Sequence, residues 1–233
     1  MHAMFSMFRL PGRARRPAII ALGAPALTLA LAFVLAFVLA FAAGCAGPGV
    51  VAHNARYDLG PAVSASSPGG GPALRVLDVD APAALDSDKF TYRLAYADAQ
   101  RTAAYRDSRW AAPPAQLLTQ RLRGALSSRG AVLDGADGVS APTLRVDLDA
   151  FEQVFDGQTE SRGVVAARAT LTQAGKVLGQ RTFTASAPAR SPDAAGGARS
   201  LAAASDALVE QIAAWADARI AESAHAQAGA PAH

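Results

Sequence analysis

Side chains suited to bond-making chemistry are sparse in this sequence. The only histidines are His2, His53, His225 and His233, so residues 54–224 carry no imidazole. That excludes Ser-His-Asp and Cys-His catalysis, and the usual His-based zinc sites, from that stretch. Carboxylates occur at i, i+2 spacing in Asp78 and Asp80, Asp86 and Asp88, and Asp147 and Asp149. Such pairs are able in principle to do general acid–base work. Their apolar neighbours and Pro82 instead mark them as solvent-facing strand and turn residues. A calcium site built on Asp86 and Asp88 would need further oxygen ligands at fixed spacing. The expectation is no catalytic residue, no metal and no cofactor: not an enzyme.

The remaining reactive group is the sole thiol, Cys45. A single cysteine allows no intrachain disulfide. From Pro17 to Ala55 there is no Lys, Arg, Asp or Glu, and residues 18–43 are almost wholly Ala, Leu, Val, Phe and Ile. Arg9, Arg13, Arg15 and Arg16 precede this run without an acidic residue. A basic start, an apolar centre and small residues at the end make an export signal. It closes on Ala42-Ala43-Gly44-Cys45, which resembles the lipobox of bacterial lipoproteins, with Ala42 where Leu is usual. There the thiol takes a diacylglycerol and the leader is cut before the cysteine. Ala46 stands where an Asp would indicate inner-membrane retention, so the outer membrane is expected. Two other readings stay open: a plain signal peptide with an incidental cysteine, or a retained apolar helix, since ~20 apolar residues span a bilayer.

The whole chain has 22 basic and 19 acidic residues, and a pI near 9.4. Without residues 1–44 the balance is 18 basic to 19 acidic. The basic pI therefore belongs to the leader. A near-neutral body lacks the positive surface that nucleic-acid binding requires, and no nucleic-acid partner is expected.

The elements that would carry any site follow from periodicity. Residues 46–55 form a short tether, and Arg56-Tyr57-Asp58-Leu59 begins the folded body. Pro61 to Pro72, rich in Gly and Ser, is a flexible loop without the Gly-Lys-Ser/Thr ending of a phosphate loop. Leu74–Val79 is a β-rich run, and Phe90–Tyr96 with Ala104–Trp110 suggests two paired extended segments. Pro113-Pro114 open a helix in which Leu118, Leu122 and Leu126 make one line, with Arg121, Arg123 and Arg129 off it and Gly130 as its stop. Leu144, Val146, Leu148 and Ala150 alternate with Arg145, Asp147 and Asp149 as a half-buried strand. Phe151, Val154 and Phe155 break that alternation, a sign of a bulge or strand end. Val165, Ala167, Ala169 and Leu171 form the next strand, a turn at Gly175 follows, and Val177–Ala187 returns as its partner. Leu201, Ser205, Leu208, Ile212 and Trp215 mark one face of a last helix. The expected fold is single-domain α+β, a mainly antiparallel sheet with two helices packed on it. The divisions are 1–44 signal peptide, 45–55 lipidated tether, 56–224 folded domain and 225–233 disordered tail.

Tyr92, Tyr96, Tyr105 and Trp110 are interleaved with Arg93, Arg101, Arg106 and Arg109. Tyr, Trp and Arg are the anchors that protein interfaces favour, whereas aromatics in a hairpin equally serve as core and cross-strand pairs. Tyr92, Arg93, Tyr96, Arg109 and Trp110 are the candidate partner-binding set. The stretch Phe90-Thr91-Tyr92-Arg93-Leu94 through Trp110-Ala111-Ala112-Pro113-Pro114-Ala115-Gln116-Leu117-Leu118 is similar to the ABC-type transport auxiliary lipoproteins, including those like paraquat-inducible protein C. Tyr57-Asp58-Leu59-Gly60 soon after the cysteine and a C-terminal helix carrying Trp215 fit the same pattern. The resemblance covers residues 45 to about 221. It implies a periplasm-facing outer-membrane lipoprotein, held by a lipid on Cys45. Such a protein docks a mammalian-cell-entry (MCE) domain protein of a lipid-moving ABC transport system and hydrolyses nothing itself. A homo-oligomer, such as a ring of subunits, is compatible with it. Two alternatives stand beside this reading: a periplasmic carrier enclosing a lipid between sheet and helices, and a membrane-anchored protein of unrelated envelope function.

Overall fold

The computed structural model describes residues 54–61 and 70–228, which fall in one compact unit. Eight strands and two helices follow in the order β1 (Ala55–Tyr57), β2 (Gly71–Val76), β3 (Lys89–Leu94), β4 (Thr102–Trp110), α1 (Pro114–Ser127), β5 (Gly130–Leu133), β6 (Thr143–Phe155), β7 (Ser161–Gln173), β8 (Lys176–Pro188) and α2 (Ala194–Ala228). All strands join one sheet with the path β1-β4-β3-β6-β2-β5, and β7 and β8 continue from the other edge of β6.

The sheet is mixed, which corrects the expectation of a mainly antiparallel one. Antiparallel pairing joins β3 to β4, β6 to β7 and β7 to β8. Parallel pairing joins β1 to β4, β2 to β5, β2 to β6 and β3 to β6. Alternation tells which face a residue occupies, but not the direction of the neighbouring strand. Residues 71–94 run along β6 as one interrupted strand. Val76 pairs with Leu144, Asp80 bridges Asp147, and Leu94 pairs with Phe155. Asp80 N–H donates to Val146 O (3.0 Å) and Leu148 N–H to Asp80 O (2.7 Å) across the gap.

The local signals succeed where the contact is local. α1 begins at Pro114, where a missing N–H costs nothing. The β7–β8 turn places Ala174 and Gly175 at φ 48° and 77°, the left-handed pair that suits the twist of a hairpin. The irregularity expected near Phe151 is a register shift between Leu148 and Ala150. It switches the strand's phase, so that Leu144, Val146 and Leu148 before it, and Phe151 and Gln153 after it, all bury. Gly130 is not a helix stop. α1 ends at Ser127, and Gly130 opens β5 beside β2, where a Cβ would meet Pro72 O at 2.8 Å and Gly71 O at 2.9 Å. The last helix continues through Ala228.

The core lies between the sheet and the two helices. Leu144, Val146, Leu148, Val165, Ala167 and Leu171 of the sheet meet Leu118, Leu122 and Leu126 of α1 and Leu201, Leu208 and Ile212 of α2. Side chains fill the layer that a lipid would occupy in the carrier reading. On the other face Arg145, Arg168, Gln180, Thr182, Thr184 and Ser186 are exposed, the ordinary polar side of a two-layer domain.

α2 lies flush on the sheet because glycines remove the obstructing Cβ atoms. A Cβ on Gly163 would fall 2.5 Å from Leu201 N, and one on Gly197 2.1 Å from Gln153 Oε1. Gly163→Ala is therefore expected to lower unfolding free energy by about 1–3 kcal/mol through overpacking. Gly124→Ala, in open space on α1, should raise it by about 0.5–1 kcal/mol through helix propensity. Urea unfolding of the two variants checks both signs.

Candidate functional site

The hairpin β3–β4 divides the five candidate interface residues between its two ends. Arg93 pairs with Thr102 near the turn, whereas Arg109 pairs with Lys89 at the base. Tyr92, Arg93 and Tyr96 are thus grouped at the tip, and Arg109 and Trp110 lie at the far end. Trp110 is wholly enclosed: its ring stacks on Phe90 at 4.5 Å and meets Phe151 edge-on at 5.2 Å. It presents no surface to a partner. Tyr92 is half-buried between Tyr105 (4.8 Å) and Phe155 (5.9 Å). Arg93 makes a two-pronged pair with Glu152, Nε to Oε1 at 3.0 Å and Nη2 to Oε2 at 3.1 Å, while Nη1 donates to Ala99 O at 2.7 Å. Tyr96 is 47% exposed. Arg109 is partly exposed and lies 3.6 Å from Asp88. The accessible members are therefore Tyr96, Arg93 and Arg109. Cys45 lies outside the described residues.

The paired carboxylates of the sequence are separated and recombined. Asp80 and Asp147 come together across the β6 edge, with Arg145 between them at 2.9 Å and 3.2 Å, and Arg168 reaches Asp147 at 3.3 Å. This is a solvent-facing charge network. Each exposed pair within it is worth about 0–1 kcal/mol. Among the described residues no three His, Cys, Asp or Glu side chains are grouped to hold a metal ion.

Polar side chains outside the candidate partner-binding set organise the interior. Gln153 is fully buried; its Nε2 donates to Ser161 Oγ at 2.8 Å and its Oε1 accepts from Tyr105 O–H at 2.9 Å. Buried amides are tolerated only when satisfied in this way. Burial, with the nearby Tyr92 hydroxyl, pushes the Tyr105 phenol up to about 12.

Arg121 is the second surprise. It lies off the leucine line of α1, yet α2 packs on that side and its side chain is only 5% exposed. Nη1 donates to Gly60 O at 3.3 Å, Nη2 donates to Leu59 O, and Nε lies 2.9 Å from Asp206 of α2, off the line of a straight hydrogen bond. One guanidinium thereby holds the incoming chain to both helices. Burial raises the Asp206 carboxylate from its ordinary value, and the Arg121 charge opposes that rise. The clamped segment Asp58–Gly60 is flanked by two open clefts. One, of about 220 Å³, is lined by Leu117, Gln120 and Arg121; the other, of about 300 Å³, by Arg56, Tyr57, Ala198, Arg199 and Ala202.

The described residues thus form a two-layer α+β domain with a mixed sheet, in which ten arginines are held in salt bridges. The model of the ABC-type transport auxiliary lipoprotein component family matches residues 57–213, and the chain belongs to that family. The family is described as an auxiliary component of transport. Among curated proteins no relative matches. Protein XCC0632 from Xanthomonas campestris shares the fold at TM-score 0.60 and 22% identity, over 73% of this chain and 96% of that one. A second crystal structure, of an uncharacterized protein, does so at TM-score 0.57 and 21% identity, over 69% and 97%. A PelC dodecamer from Paraburkholderia phytofirmans matches at TM-score 0.40 and 11% identity, over 67% and 92%. No described helix is long and apolar enough to cross a membrane.

Two outcomes are expected. Arg121→Met leaves Asp206 and the Leu59 and Gly60 carbonyls without their partner. It should cost about 2–3 kcal/mol in chemical denaturation, below the range for a fully enclosed pair, because the Asp206 side chain is 32% exposed. For Tyr105 the folded pKa lies above the unfolded value, so its contribution is complete below pH 10 and is lost as pH rises toward about 12. Tyr105→Phe should remove that alkaline component of the pH–stability profile, and should cost about 1 kcal/mol at neutral pH for the lost hydrogen bond.

Proposed function

We propose that this chain is an outer-membrane lipoprotein facing the periplasm, held by acyl chains on Cys45, and that it serves an MCE-type ABC transport system as a non-catalytic docking component. The match to the auxiliary lipoprotein family over residues 57–213 carries the reading. The position of the only cysteine after Ala42-Ala43-Gly44 supports it. One acyl chain binds a membrane marginally, whereas two or three hold it stably, so full lipobox processing is part of the proposal. The cargo class proposed is phospholipid or another hydrophobic molecule moving between the membranes, with the MCE protein as its conduit. The domain itself contributes contact surface. The hairpin tip is the proposed docking site, with Tyr96 and Arg93 as accessible anchors flanked by half-buried Tyr92. Arg109 lies at the opposite end and would contribute to a separate edge of the footprint. Trp110 supports the hairpin from within. Side chains filling the sheet–helix layer favour this adaptor over an enclosed-lipid carrier.

Two measurements test the reading. Mass spectrometry of the exported chain should find a diacylglyceryl group on Cys45, and Cys45→Ala should accumulate as unprocessed precursor. Normal processing of that variant would remove the anchor from the account. A photo-cross-linker at residue 96 should capture an MCE-domain protein in the intact envelope, and Arg93→Glu should reduce that capture at least about tenfold, the loss of a buried charge pair. Capture unchanged by this variant would exclude the hairpin tip.

A further inference from the structure

We propose that the cleft between the incoming chain and the start of α2 binds the phosphodiester of an anionic phospholipid in the membrane that carries the protein's own anchor. The proposal rests on the lipid anchor at Cys45 and deepens it: the domain docks onto its membrane through a built contact as well as hanging from it.

The cleft, of about 300 Å³, has Arg56 on one wall and Arg199 on the other, with Tyr57, Asp58, Leu59, Ala198 and Ala202 among the residues that line it. Both arginines are exposed, and neither has a salt-bridge partner among the described residues. Arg93, Arg121, Arg129, Arg145 and Arg168 are paired, whereas Arg75, Arg101, Arg181 and Arg190 share the lack of a salt bridge; what distinguishes Arg56 and Arg199 is that they line one cleft. Two carboxylates lie nearby. Asp58, which lines the cleft, accepts from Gly60 N–H at 2.8 Å. Asp193 accepts from Gly196 N–H at 2.7 Å and from Ser191 O–H at 2.9 Å; these bonds, with the Arg199 charge adding to them, hold its carboxyl below the usual carboxylate range. Two exposed guanidinium groups outside any salt bridge among the described residues, over a floor of tyrosine, leucine and alanine, fit a phosphate with a short apolar stem. Guanidinium matches phosphate geometry with paired N–H donors, and the alanines leave room for glycerol and the first methylenes.

Chain length supplies the second argument. Arg56 is the eleventh residue after Cys45, and ten residues reach at most ~35 Å. A tether of that length keeps headgroups at an effective concentration on the order of millimolar, so a weak intrinsic affinity suffices. Arg121 fixes the Leu59 and Gly60 carbonyls to both helices. The Arg56 wall is thereby held against the Arg199 wall before any lipid arrives.

The test uses the full processed chain in phosphatidylcholine vesicles with or without phosphatidylglycerol, read by amide hydrogen exchange. Exchange at residues 56–60 and 195–202 should slow about tenfold when phosphatidylglycerol is present. The slowing should disappear in the double variant Arg56→Ala, Arg199→Ala, whose melting temperature should stay unchanged because both side chains are exposed. A protein that floats with both vesicles and exchanges alike in each overturns the proposal. Equal slowing by inorganic phosphate alone assigns the cleft to a free anion and also overturns it. If the chain floats with neither vesicle, the anchor reading fails separately. The cleft is then decided by titrating the same protein with short-chain phosphatidylglycerol, where absence of saturable, Arg199-dependent slowing overturns it.

Discussion

The contact between α2 and the sheet at Gly163 and Gly197 is the constraint from which the rest of the domain follows. With no Cβ in the way, the helix backbone settles onto β7 and over Gln153. That closeness seals Gln153 from water, and Tyr105 and Ser161 then satisfy its amide. The same approach closes the layer that contains Phe90, Trp110 and Phe151. Asp193, capping the start of α2 through Gly196 N–H, fixes where the helix begins and hence the register of these contacts.

A second constraint ties the start of the domain to that frame. Arg121 is one charge serving three elements: the incoming segment through two carbonyls, α1 through its own backbone, and α2 through Asp206. A buried ion pair of this kind is a poor source of net stability but a strong specifier of arrangement, since breaking it leaves charge and carbonyls unsatisfied. In a chain proposed to be pulled on by an anchor, such a clamp places the load on both helices rather than on the three-residue strand β1.

Much of this architecture was legible in the sequence. Pro113-Pro114, the Leu118–Leu122–Leu126 line, the turn at Gly175 and the alternation of β6 and β7 are local signals that name their own elements. The disturbed alternation at Phe151, read as a bulge or a strand end, lies just after the register shift between Leu148 and Ala150. The family was legible too, from the hairpin and its Trp-Ala-Ala-Pro-Pro exit. The direction of the strands was not. β2 and β3 lie parallel to β6, and β5 lies parallel to β2 after α1 crosses the sheet. No residue within those short runs encodes that order. Gly130 shows the same limit: after a helix it reads as a stop, yet its reason is the Gly71–Pro72 backbone nearly sixty residues earlier.

Among the interface candidates the ambiguity between core and surface was real, and only three-dimensional neighbours resolved it. Trp110 went inside because Phe90 and Phe151 close over it; Tyr96, two residues beyond the end of β3, stayed out. The sequence by itself determined most of the elements, their apolar faces, the absence of histidine from residues 54–224 and the lone cysteine at position 45, because each is a property of residue type and short-range spacing. Tertiary structure alone decided which strands run side by side, that Arg121 is buried, and which arginines lack partners. Those outcomes depend on backbone segments far apart in the chain arriving within a few ångströms of one another, and no local pattern records that distance.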